Sequence, residues 1–146
     1  MIFSISSGLL ALIGLFGTGT NMAAQPGARP LPVHCTATGA KALAPAMTAA
    51  EACARFVQAL SGAMRAPVAL AAAGGSTSEG LVVELAFLPQ GIASARVTRL
   101  RAGRAQTLPL YELAVSDRQL AARDIDTLAT SVAQGMTIAA AHTGRG

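Results

Sequence analysis

Between residues 48 and 136 the apolar positions change rhythm twice, from helical spacing to alternation and back. Cys53, Phe56, Val57, Leu60 and Met64 recur every three or four residues, which puts them on one face of a helix. Thr48-Ala-Ala-Glu51 precedes them as a capping box, in which the Thr hydroxyl and the Glu carboxylate each take up an orphan backbone N–H. Glu51 and Arg55 stand four apart on the exposed side and are expected to pair there. Pro67 ends the helix. Val68 to Ala73 follows as a short apolar run, and strand-like patterning then marks Leu81 to Leu88, Ile92 to Arg101 and Gln106 to Val115. Gly74 to Gly80, Pro89-Gln90-Gly91 and Ala102-Gly103 separate these runs as turns. Pro109 marks the last run as an edge strand or the site of a bulge. Ser116-Asp-Arg-Gln119 reads as a second capping box, with Asp124 as a rival start that would leave residues 116–123 as a loop. Ala121, Ile125, Leu128, Val132 and Met136 form the apolar stripe of the helix that follows.

Helix, three or four strands, helix is the order of a two-layer α+β sandwich. An antiparallel meander is expected, with the N-terminal and C-terminal helices packed on one of its faces. The compact domain spans residues 48–136, preceded by a proline-rich lead-in at 25–47 and followed by a frayed tail at 137–146. Within the lead-in, Leu31 to Thr36 can add a short edge strand. At 146 residues the chain has room for one domain.

Residues 1–28 carry no charged side chain, and Ile2 to Phe16 form an apolar run followed by small residues as far as Ala24. This is the pattern of a secretory signal peptide over residues 1–24, although only the α-amino group supplies charge ahead of the run. A membrane would then be touched only through the leader, if it stays uncleaved. The sequence after the leader contains two cysteines, Cys35 and Cys53. In a short exported chain such a pair is expected to form a disulfide, here closing a loop worth about 3 kcal/mol in chain entropy. That contribution matters in a chain whose hydrophobic content is 52%, much of it alanine outside the first 24 residues, and whose aromatic content is 3%.

Charge is sparse, at 12% of residues, but the net balance is +4 and Arg96, Arg99, Arg101 and Arg104 are concentrated around one hairpin. They form a candidate basic patch for an anionic envelope component or an acidic protein, partly offset by Glu84 and Glu112 on neighbouring strands. The order of elements is shared with the double-stranded RNA-binding fold, but the resemblance stops there. Lys41 is the sole lysine, and the second helix lacks a basic cluster at its start, so no nucleic-acid partner is expected.

No catalytic set stands out. His34 and His142 are the only histidines, and His34 beside Cys35 is poorly placed to activate a thiol that is itself expected to be oxidised. Neither a metal site nor a cofactor is expected, since the ligand count for zinc and the lysine of a phosphate loop are both lacking. The sequence therefore points to a non-enzymatic module in the periplasm or outside the cell, acting on a protein or an anionic envelope component. The alternatives are an exported inhibitor or immunity-type protein using the Cys35–Cys53 loop, with contacts at Ala44–Ala46, and a small hydrolase dependent on His34.

Overall fold

The computed structural model describes residues 29–71 and 78–143, with side chains described to residue 137. The expected leader, residues 1–24, lies outside the described residues. The elements are β1 (Leu31–Thr38), a 3-10 turn (Ala40–Ala42), α1 (Ala49–Met64), β2 (Val68–Leu70), β3 (Gly80–Leu88), β4 (Ile92–Arg101), β5 (Arg104–Thr107), β6 (Tyr111–Ala114) and α2 (Ala122–Thr143).

α1 starts where the capping box sets it: Thr48 Oγ1 accepts a hydrogen bond from the Glu51 N–H at 3.1 Å. Ala52, Cys53, Phe56, Val57 and Leu60 make up its buried stripe. Its end falls at Arg65, in the left-handed region at φ 54°.

Among the described residues the sheet is mixed and has six strands, in the order β2-β1-β3-β4, with β5 and β6 sharing the outer edge of β4. β1 runs parallel to both β2 and β3, and the remaining pairs are antiparallel. This departs from the expected meander, and the cause is α1. Its 16 residues return the chain by about 24 Å, nearly the length of eight-residue β1, so β2 sets out in the same direction as β1. β2 and β3 therefore flank β1 instead of forming a hairpin. β1, expected at an edge, is interior, and its Val33 is fully buried.

Pro109 divides the last alternating run. β5 pairs with the Thr98–Arg101 end of β4 and β6 with its Ile92–Ala95 end, because proline has no N–H to give to the ladder.

Both helices lie on the face that carries Val33, Leu81, Val83, Leu85, Phe87, Ala93, Ala95 and Val97, α1 over β1 and β2, α2 over β4 and β6. The rows beneath α2 alternate large and small, Phe87–Ala93–Leu113 and Leu85–Ala95–Tyr111, so the two alanines let the helix approach β4. α2 starts at Ala122, and residues 116–118 are a bend, so Asp124 and not the 116–119 box marks its first turn. The helix then continues past Gly135 to Thr143, through most of the stretch expected to fray. Among the described residues no helix is long and apolar enough to cross a membrane.

Candidate functional site

Cys35 of β1 and Cys53 of α1 form a disulfide, with their Cα atoms 5.8 Å apart. It joins β1, the second strand in the sheet order, to the second turn of α1, beside the edge where β2 has already ended. A bond of this kind fits an oxidising compartment. The loop it closes is folded back onto the core: Leu43 is buried, and the Ala44 N–H donates to the Leu120 carbonyl at 2.7 Å. Gly39, at φ 75°, sits against the Phe87 carbonyl where a Cβ would collide with backbone. Pro45 and Ala46 remain exposed at the crest of this loop, after a cis Ala44–Pro45 bond.

The four arginines of the candidate patch are divided between the two faces of the sheet. Arg99 stands directly opposite buried Leu81, which places it on the helix-bearing face, where Arg101 and its cross-strand partner Arg104 also lie. Arg96, three residues before Arg99, stands opposite Glu84 on the other face. Ala102 (φ 52°) and Gly103 (φ 75°) join Arg101 to Arg104 in a two-residue turn with both φ values positive. The Gly103 N–H donates to the Ser78 carbonyl at 3.0 Å, which ties the hairpin tip to the chain entering β3. Glu84 and Glu112, expected to neutralise part of the patch, face Arg96 and Ser94 in register.

Among the described residues the ion pairs are formed elsewhere. Arg55 Nε and Nη2 donate to the two carboxylate oxygens of Asp126 at 2.8 and 2.7 Å, so Arg55 bridges α1 to α2 instead of pairing with Glu51. Arg118 makes a fork of two 2.7 Å bonds to Asp124, a side chain whose residue is 3% exposed. Asp124 also accepts the Ala121 N–H at 2.8 Å and so closes the first turn of α2. The Arg118 hydrogen bonds, aided by the Ala121 N–H, hold the Asp124 carboxyl below the ordinary range against the opposing effect of burial. Arg55 does the same for Asp126.

His34 lies on β1 opposite Val82, and its neighbour Cys35 points to the other face, so the two side chains cannot converge on one atom. His142 is in the last turn of α2. Sequence reasoning missed a depression on the face away from the helices, lined by Thr36, Thr38, Glu84, Leu85, Ala86, Ser94, Arg96 and Leu110. Its residues come from three strands and a link, and strand register is what assembles them. Comparison with family models, characterised proteins and solved structures finds no match to this chain.

Proposed function

We propose that the chain is an exported, disulfide-braced interaction module of the periplasm or the extracellular space, whose Arg99, Arg101 and Arg104 hold an anionic envelope surface. The observation that carries this reading is the Arg101–Arg104 pair, two like charges directly opposite each other at a hairpin end. Such a pair weakens a hairpin by about 0.2–1 kcal/mol relative to a neutral one. Phosphate or carboxylate groups lying between the guanidiniums remove that cost and gain charge-assisted hydrogen bonds. Glu79 extends the register of β3 toward Arg101, but the ion pairs among the described residues join Arg55 to Asp126 and Arg118 to Asp124. Arg99 adds a third cation on the same face.

Vesicles with and without anionic lipid test this reading. The chain is expected to sediment with anionic vesicles at low salt, to be released as ionic strength rises, and to lose retention when Arg99, Arg101 and Arg104 are replaced by Gln. Retention unchanged in that triple variant would remove the hairpin from the interaction. Export is tested separately by expression behind the chain's own leader, with release of a species beginning at Gln25 as the expected result.

A further inference from the structure

The sheet face turned away from the helices carries a second feature, independent of the arginine hairpin and on the opposite side from it. Thr36, Glu84 and Arg96 stand in one register line across β1, β3 and β4, with Thr38, Ala86 and Ser94 in the next. They floor a depression of about 300 Å3, walled by Leu110 from the link between β5 and β6. That volume equals about ten water molecules in the liquid and matches the lower end of small-molecule pockets. Glu84 and Arg96 are exposed and directly opposite, yet the ion pairs of the described residues are made by Arg55 with Asp126 and Arg118 with Asp124. A carboxylate and a guanidinium held side by side on rigid strands without joining offer an acceptor and a donor fork to a third body.

We infer that this depression binds a free α-amino acid with an uncharged aliphatic side chain. The ligand carboxylate meets the Arg96 guanidinium, and its ammonium meets the Glu84 carboxylate. The Thr36 and Ser94 hydroxyls supply further hydrogen bonds, while Ala86 and Leu110 receive the side chain. Both charged groups of an α-amino acid sit on one carbon, so a single small ligand spans cross-strand neighbours whose Cα atoms are about 5 Å apart. A simple anion or amine satisfies only one of them. Glu112, opposite Ser94, adds a second negative charge at the margin, which favours the ammonium and disfavours acidic side chains.

Titration of the purified chain with L-leucine, followed by backbone NMR, tests the site. The expected result is saturable binding with shifts centred on Thr36, Glu84, Ser94 and Arg96, and weakening of at least about tenfold for N-acetyl-L-leucine, for leucine amide, and in Glu84→Gln and Arg96→Gln. Both substitutions are on an exposed face, and unchanged circular dichroism and melting separate lost binding from lost folding. Absence of saturation by about 10 mM overturns the proposal, as does acetate binding as well as leucine or full binding in Glu84→Gln.

Discussion

Tyr111 of β6 lies over Gly135 of α2 so closely that a Cβ at position 135 would sit 2.7 Å from the Tyr111 ring carbon Cζ. The glycine in mid-helix is therefore part of the packing between layers. Alanine is the better helix former by about 1 kcal/mol, so an isolated helix would gain from Gly135→Ala. Here the ring must swing out, and a net loss of about 1–3 kcal/mol is expected by denaturant melting. The same substitution in a Tyr111→Ala background should become stabilising. A double-mutant cycle thus distinguishes the contact from propensity by a change of sign.

Joining Cys35 to Cys53 couples the two layers on the other side of the molecule. At a sequence separation of 18, the bond restricts the unfolded chain by about 3 kcal/mol. Replacing both cysteines by Ser should lower the melting temperature on the order of 10–20 °C. The untreated protein should show no free thiol on alkylation without reductant, and quantitative labelling would contradict the bond.

What the sequence discloses follows from how local each signal is. The Thr48 cap, the stripe from Cys53 to Leu60 and the turn at Ala102-Gly103 depend on residues a few positions apart, and all three are found in place. Pairing partners depend on chain direction, which α1 reverses, so the interior position of β1 was hidden in a segment that looked like a lead-in. Arg55 has a nearby acid in Glu51, but its partner is 71 positions away on a helix whose approach the sequence does not specify. The separation of Arg96 from Arg99, by contrast, was available from spacing alone, since an interval of three in a period-two strand exchanges faces. The depression around Glu84 needs the registers of β1, β3 and β4 together, and no sequence interval encodes them.

Acid should destabilise the protein through two carboxylates. Asp124 and Asp126 both have folded values below the ordinary carboxylate range, the first through Arg118 and the second through Arg55. The stabilisation is present above the unfolded value of about 3.9 and is lost as pH falls from there through the lower folded values. Melting temperature should accordingly drop on acidification below about pH 4, and the drop should flatten in Asp124→Asn. The Asp124 side chain is 4% exposed and that of Asp126 is 40%, so the neutral-pH loss should be larger for Asp124→Asn, while that for Asp126→Asn should shrink in high salt.

Stability and binding should part company at the hairpin. Ala102 holds φ 52°, a left-handed conformation that costs an alanine roughly 1 kcal/mol and that asparagine tolerates better. Ala102→Asn also creates the Asn-Gly pair favoured in this turn, so it should raise stability by up to about 1 kcal/mol and leave vesicle retention unchanged. Arg104→Gln removes one of two facing cations and should also stabilise, by a few tenths of a kcal/mol, but retention on anionic vesicles should fall. A cation kept for solubility alone predicts a different outcome, in which Arg104→Gln leaves retention intact and changes only the protein's tendency to aggregate. Measuring melting and sedimentation on the same two variants therefore separates a binding face from a solubilising one.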